Sequence, residues 1–170
     1  GIDGRGDGEG VYLLLAPPRD LHAGRFRFVS TWEHVATDED LFETITRGLP
    51  GSQMPSFERL AEPDRRALVA AVKAFADEPW VVRESRPPGT DGTPGQGVVL
   101  VPPEPVGAAS HRDRAQELFL DACAPCHGRE GRGDGRTDLV DVDGHPIRPR
   151  NFTLGAFKGD PAPEALYRRI

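Results

Sequence analysis

The sequence predicts a mostly α-helical protein made of two consecutive copies of one unit, with long loops rich in glycine and proline. An internal repeat predicts the two copies, and short amphipathic segments with helical spacing predict the helices. The loops follow from composition, because 20 of the 170 residues are glycine and 17 are proline. These shares are well above the averages of about 7% and 5%.

The internal repeat consists of short segments that recur in the same order at nearly constant spacing. The matched pairs are residues 4–8 with 131–135 at an offset of 127, residues 18–21 with 149–152 and Gly24 with Gly155 at an offset of 131, and residues 41–45 with 166–170 at an offset of 125. Ordered matches of this kind indicate a duplicated structural unit. We expect units at residues 1–84 and 110–170, joined by a Pro/Gly-rich linker at residues 85–109.

Two helices are predicted in the first copy. Residues 38–47 begin with acidic side chains, carry apolar side chains on one side, and are followed by Gly48. Residues 63–76 begin with a proline, which suits a first helical position, and place Leu68, Val72 and Phe75 on one face.

Two further helices are predicted in the second copy. Ser110 has the character of an N-cap, and the helix after it leads into residues 123–127. Its apolar side chains recur at helical spacing; they are Ala115, Leu118, Phe119 and Ala122. Residues 163–170 form the last predicted helix.

The motif with the clearest chemistry is Cys123-Ala-Pro-Cys126-His127-Gly. Two cysteines three residues apart with a histidine directly after them are typical of covalent c-type haem attachment. On one helical turn these side chains share a face, so two thiols and an imidazole can reach one flat ligand. A four-cysteine zinc site would need more than the two cysteines present. A redox dithiol in a thioredoxin-like unit would need strands alternating with helices, and none is evident nearby.

With its Gly-x-Gly-Asp-Gly sequel, the motif resembles the start of a class I cytochrome c unit. Residues 48–55, which contain the single methionine, Met54, resemble the loop of such a unit that carries the distal iron ligand. The resemblance implies two consecutive class I units, with His127 as the proximal ligand in the second copy and Met54 as the distal ligand in the first. It also implies that a proline carbonyl, from Pro18 or Pro149, accepts a hydrogen bond from the proximal imidazole.

Other residues are candidates for contacts with the haem or its iron. Arg19 and Arg150 follow the two candidate prolines, and a guanidinium suits a planar propionate. His145 is a substitute distal ligand if no methionine follows the second copy. Alternatively, Met54 and His127 bind one and the same haem.

The repeat register assigns Met54 and His127 to different haems. Gly1 pairs with Gly128 at the offset of 127, so we expect an attachment motif just before residue 1. By the same register, the distal ligand for the His127 haem is expected after residue 170. We therefore interpret the chain as a window from a longer protein with two haems c, one of which is attached by a motif in this chain.

The resemblance implies an electron carrier rather than an enzyme, located in the periplasm or another extracytoplasmic compartment. Its expected partners are redox proteins, such as a periplasmic dehydrogenase or reductase or another cytochrome of a respiratory chain. The net charge of −6 argues against a nucleic-acid partner, and no apolar run reaches membrane-span length. The alternatives are a di-haem cytochrome c peroxidase-like enzyme, a haem-bearing subunit of a larger respiratory oxidoreductase, and a structural or sensory haem module.

Overall fold

The computed structural model describes residues 1–14, 17–104, 107, 111–140, 144 and 146–170. Ser110 and His145 lie outside the described residues. Within these ranges the regular secondary structure is helical, as predicted, and strand pairing is limited to isolated bridges. The α-helices are α1 Asp38–Arg47, α2 Glu62–Lys73, α3 Arg112–Leu118, α4 Ala124–His127 and α5 Pro163–Tyr167. A π-helical segment, Phe119–Cys123, joins α3 to α4, and 3-10 turns occupy Val11–Leu13 and Phe152–Leu154.

The chain divides into two compact units. The first unit comprises Gly1–Val101 together with Lys158–Ile170, and the second comprises Pro102–Phe157. These boundaries differ from those expected from the repeat in two places. Most of the expected linker belongs to the first unit, and so does the C-terminal segment.

Helix α1 has the predicted bounds because local signals act at both of its ends. The Thr37 hydroxyl accepts from the Asp40 N–H at 3.1 Å, while the Asp40 carboxylate accepts from the Thr37 N–H at 2.8 Å. This capping box satisfies N–H groups that have no partner inside the helix. Gly48 ends the helix at φ 66°, where a Cβ would overlap the backbone of Pro55. Leu41 and Ile45 are buried on the predicted face.

Helix α2 is shorter than predicted and is rotated relative to its predicted face. It ends at Lys73, because after the Ala74 N–H the hydrogen bonds change to the 3-10 pattern, from Phe75 to the Val72 carbonyl and from Ala76 to the Lys73 carbonyl. Leu68 was predicted to face the core but is 37% exposed, whereas its neighbour Val69 is buried. The buried core of the first unit consists of Val29, Ala36, Leu41, Ile45 and Val69, with Phe26, Phe42, Met54, Val72 and Trp80 packed against it.

Residues 97–99, inside the expected linker, pair with the first unit through backbone hydrogen bonds. The Val99 N–H donates to the Ser30 carbonyl at 2.7 Å, and the Trp32 N–H donates to the Gly97 carbonyl at 3.1 Å. The Val99 side chain is buried at 8% exposure. Residues 97–99 therefore belong to the fold, because burial of an apolar side chain and satisfied backbone bonds outweigh the turn-forming composition around them.

The C-terminal segment contacts helix α1 and the loop before it. The Arg47 guanidinium donates to the Gly159 carbonyl at 2.9 Å and lies 3.6 Å from the Asp160 carboxylate. The Arg169 guanidinium lies 4.7 Å from the centre of the Phe28 ring. Charged side chains therefore hold this segment in the first unit, although the repeat aligns residues 166–170 with α1 of the first copy.

The repeated glycines adopt the same backbone conformation in both copies. Gly6 has φ 77° and Gly133 has φ 75°. A Cβ on Gly6 would overlap the Pro18 carbonyl oxygen, and a Cβ on Gly133 would lie 2.6 Å from the Pro149 carbonyl oxygen. Positive φ and close backbone approach both require glycine, so the duplicated sequence here encodes a duplicated local structure.

Candidate functional site

The Cys-x-x-Cys-His motif lies at the end of a continuous helical stretch in the second unit. Cys123 is the last residue of the π-helical segment, while Cys126 and His127 lie in α4. Gly128 ends α4 at φ 77°, where a Cβ would overlap the Asp134 carboxylate. The widened turn before Cys123 is a feature that is frequent at functional sites.

Both cysteines are available for chemistry. Cys123 and Cys126 are free thiols, and each is half-buried. With His127 they occupy the last turns of one helix, so the helix itself sets their spacing. Two thiols and one imidazole therefore belong to a single rigid element, as the motif predicts.

The His127 imidazole is oriented by a backbone carbonyl. Its Nδ1 lies 3.0 Å from the Arg150 carbonyl oxygen, which can only accept a hydrogen bond. We therefore assign the proton to Nδ1, which leaves the Nε2 lone pair available for a metal ion.

The acceptor had been predicted one residue earlier, at Pro149. The Pro149 carbonyl instead lies against the Gly133 backbone, so the next carbonyl, that of Arg150, faces the imidazole.

An aromatic ring packs on the same imidazole, and sequence reasoning did not identify it. The centroids of the Phe152 and His127 rings are 4.3 Å apart, with the planes inclined by 22°. Phe157 stacks behind Phe152 with a centroid distance of 6.1 Å. The internal repeat could have pointed to Phe152, because it pairs this residue with Leu21. An apolar position shared by both copies is therefore aromatic in the second copy alone.

The glycine-rich loop after the motif holds the end of α4 in place. The Gly133 N–H donates to the His127 carbonyl at 2.7 Å, and the Arg136 N–H donates to the Pro125 carbonyl at 3.0 Å. A Cβ on Gly135 would lie 2.5 Å from the Cys126 carbonyl oxygen. The loop thus packs backbone to backbone against the motif, and this requires its glycines.

The second unit has little apolar core of its own. Among its described residues, Ala124 is the one hydrophobic residue that is buried. Leu118, on the predicted apolar face of the helix, is 49% exposed, and Leu154 is 71% exposed. A unit of this size, below about 70 to 80 residues, usually needs a disulfide, a metal or another staple in addition to its core.

Met54 lies in the first unit, in a compact loop directly after α1. The Leu49 N–H donates to the Met54 carbonyl at 3.1 Å, and the Met54 N–H donates to the Ser52 hydroxyl at 3.2 Å. The Met54 side chain is half-buried and packs against the hydrophobic core of that unit. The loop therefore presents the thioether to the interior of the first unit.

The remaining predicted site residues divide between the two units. Pro18 and Arg19 are exposed in the first unit, while Pro149 and Arg150 are half-buried in the second. The described residues contain no cluster of three or more His, Cys, Asp or Glu side chains placed to hold a metal ion. Across the same ranges, no helix has the length and apolar character that crossing a membrane requires.

Comparison with known proteins identified a related chain of known structure. No protein-family model matches the sequence, and no curated protein matches it. A chain in the solved structure of the Kuenenia stuttgartiensis reducing HAO-like protein complex Kustc0457/Kustc0458 is 31% identical, with a TM-score of 0.74. The match covers 98% of the present chain and 73% of the matched chain. Identity at this level over this length shows common ancestry, and the chain belongs to the same family as its counterpart in that complex.

Proposed function

We propose that this chain is part of an electron-transfer cytochrome c whose second unit holds haem c through Cys123, Cys126 and His127. The observation that carries the proposal is the 3.0 Å hydrogen bond between His127 Nδ1 and the Arg150 carbonyl. It orients a histidine that directly follows the second of two free cysteines in the chain. The thiols would form thioethers, and His127 Nε2 would be the proximal ligand. When bound, the haem would supply a reversible one-electron iron couple.

The residues around the motif fit such a group. Both thiols are half-buried rather than enclosed, and the apolar side chains of Leu118 and Leu154 are exposed in the same unit. A covalently attached apolar ring system would cover such surface and act as the staple that a small unit needs. The Arg150 carbonyl would raise the basicity of the imidazole and restrict its rotation.

In the first unit, Met54 is proposed as the distal ligand of a second haem. The compact loop and the position of Met54 against the core support this role. A thioether is a soft, neutral ligand that favours ferrous iron and raises the reduction potential. The matched backbone at Gly6 and Gly133 supports two consecutive class I cytochrome c units.

The physiological role proposed for the protein is outer-sphere electron transfer in an extracytoplasmic compartment, without catalysis by this chain. Its family counterpart is a chain of a complex described as reducing and HAO-like. We infer a haem-bearing subunit or domain that passes electrons between redox proteins, such as a periplasmic dehydrogenase or reductase and another cytochrome. The charge of −6 favours a partner with a basic docking surface.

Covalent haem attachment is the first test. The wild-type protein and a Cys123→Ser/Cys126→Ser variant would be produced in the periplasm of a host with c-type haem maturation. We expect the wild type to keep haem through a denaturing gel and the variant to lose the mass of one haem. A wild type without covalent haem, or a variant with the full complement, would refute the proposal.

The Met54 assignment is tested separately in the full-length protein. Met54→Ala should abolish one methionine-to-iron charge-transfer band and lower one reduction potential, because a soft ligand to ferrous iron is lost. Covalent haem content should stay unchanged, which serves as the internal control. If every haem keeps its spectrum and potential, Met54 is not a ligand.

A further inference from the structure

We propose that Phe152 is a positioning residue that fixes the rotational orientation of the His127 imidazole and thereby distinguishes the second haem site from the first. The proposal rests on the haem site proposed above and adds a determinant of its electronic properties. It concerns a side chain that makes no bond to iron and acts only through the ligand.

Two contacts restrict the orientation of the imidazole, the hydrogen bond to the Arg150 carbonyl and the stacking of the Phe152 ring. The hydrogen bond from Nδ1 to the Arg150 carbonyl holds one edge of the ring at 3.0 Å, but a single bond still permits the ring to tilt about that edge. The Phe152 ring lies 4.3 Å away and nearly parallel, at 22°, so it blocks one face. Because Arg150 and Phe152 are two residues apart, one short segment supplies both restraints.

Phe152 is itself held rigidly. Its N–H donates to the Gly131 carbonyl at 2.8 Å, and a Cβ on Gly131 would lie 3.3 Å from the Phe152 ring. The Asn151 side chain caps the 3-10 turn by accepting from the Thr153 N–H at 2.9 Å. Phe157 stacks on Phe152 at 18°. A ring restrained in this way can transmit its position to a ligand.

The first copy has the same backbone and a different side chain at this point. The Leu21 N–H donates to the Gly4 carbonyl at 2.9 Å, which matches the bond from Phe152 to Gly131. Leucine has no flat face and cannot stack on an imidazole. The duplicated scaffold therefore offers an aromatic restraint in the second copy and an aliphatic contact in the first.

With haem c bound, the orientation of the His127 imidazole would affect the electronic state of the iron, because it would set how the π system of the ring overlaps with the iron d orbitals. Groups that orient a ligand without binding the metal are known to tune metal properties. Loss of the stack should therefore change the electron paramagnetic resonance signal and potential of one haem, while the ligands remain in place.

The test uses the full-length holoprotein with three variants. Phe152→Leu installs the first-copy residue, Phe152→Tyr keeps the ring, and Phe157→Leu removes the aromatic side chain that stacks behind Phe152. We expect Phe152→Leu to shift the ferric resonance and the potential of one haem, Phe152→Tyr to retain both wild-type values, and Phe157→Leu to have a smaller effect. Equal effects of Phe152→Leu and Phe157→Leu would assign the result to general packing and overturn the proposal.

Haem content distinguishes this proposal from the proposed function. If the wild type carries covalent haem and Phe152→Leu leaves the resonance and potential unchanged, Phe152 has no positioning role while the cytochrome assignment stands. If the wild type carries no covalent haem, the proposed function fails first. Should Phe152→Leu not mature, Phe152→Met removes the ring and fills the gap with an unbranched, flexible side chain. Loss of the wild-type signals in Phe152→Tyr would also refute the role.

Discussion

Two regions of the molecule, the first-copy loop (described residues 4–14 and 17–24) and the second-copy loop (described residues 131–140, 144 and 146–155), are held by different side chains. They share the positive φ of repeated glycines and one backbone hydrogen bond, from Leu21 to Gly4 or from Phe152 to Gly131. In the first-copy loop, His22 bonds to the Asp77 carboxylate at 2.9 Å and to the Asp3 carbonyl at 2.7 Å. In the second-copy loop, the repeat places Thr153 at that position, and its hydroxyl bonds to Asn151 at 2.7 Å. Repeated glycines and backbone hydrogen bonds therefore preserve local structure in both copies, while the side chains that support it have diverged.

The glycine pair should show the largest effect. Gly6→Ala and Gly133→Ala are each expected to lower the free energy of unfolding by more than about 2 kcal/mol. The energetic cost of a positive φ for alanine adds to the cost of the steric overlap made by its Cβ. Denaturant unfolding of the holoprotein measures both. Gly10→Ala is the matched control, since Gly10 has φ −85° and nothing within 4 Å of a Cβ. If Gly133→Ala lowers the free energy of unfolding no more than Gly10→Ala does, the glycine at position 133 is not required by the backbone.

The His22 contacts should make the stability of the first-copy loop depend on pH. Both ring nitrogens face oxygen acceptors, which favours the doubly protonated imidazolium. The hydrogen bond to Asp77, and next that to the Asp3 carbonyl, raises the pKa of His22 above its ordinary 6.5, although Arg5 opposes this. The hydrogen bond from His22 in turn lowers the pKa of Asp77 below its ordinary 3.8.

The direction of the pH effect follows from these two shifts. The contribution of His22 is fully present below about pH 6.5 and is lost as pH rises through its raised pKa. The contribution of Asp77 is present above about pH 4 and is lost as pH falls through its lowered pKa.

The test compares wild type with His22→Thr, which installs the second-copy residue. The stability difference should be largest between about pH 4 and 6.5 and should shrink toward about pH 8. Melting temperatures across this range measure it. Asp77→Asn should reduce the same pH dependence, because only the Asp3 carbonyl would then raise the pKa of His22. A difference that does not vary with pH would contradict the assignment.

The smallest effect is expected where the two copies use equivalent caps. Asp20 accepts from the His22 N–H at 2.9 Å, and Asn151 accepts from the Thr153 N–H at the same distance. Asp20→Asn should therefore change the free energy of unfolding by no more than about 0.5 kcal/mol. Asp20→Ala, which has no acceptor, should cost about 1 kcal/mol. If the asparagine variant is as damaging as the alanine variant, the two caps are not interchangeable.

Features that depend on neighbouring residues along the chain could be predicted from the sequence. Helix α1 has the predicted bounds because its cap at Thr37 and its stop at Gly48 act within a few residues. The spacing of Cys123, Cys126 and His127 on one helical stretch and the need for glycine in both copies are equally local.

Features that depend on residues far apart in the sequence became clear from the folded structure alone. The tertiary structure placed the Arg150 carbonyl, rather than that of Pro149, against the imidazole, while the Pro149 carbonyl oxygen lies beside Gly133. It turned Val69 rather than Leu68 into the core, and it paired Val99 with Ser30. Caps, turns and helical spacing act over a few residues, whereas these contacts depend on which surfaces become buried together after the chain has folded.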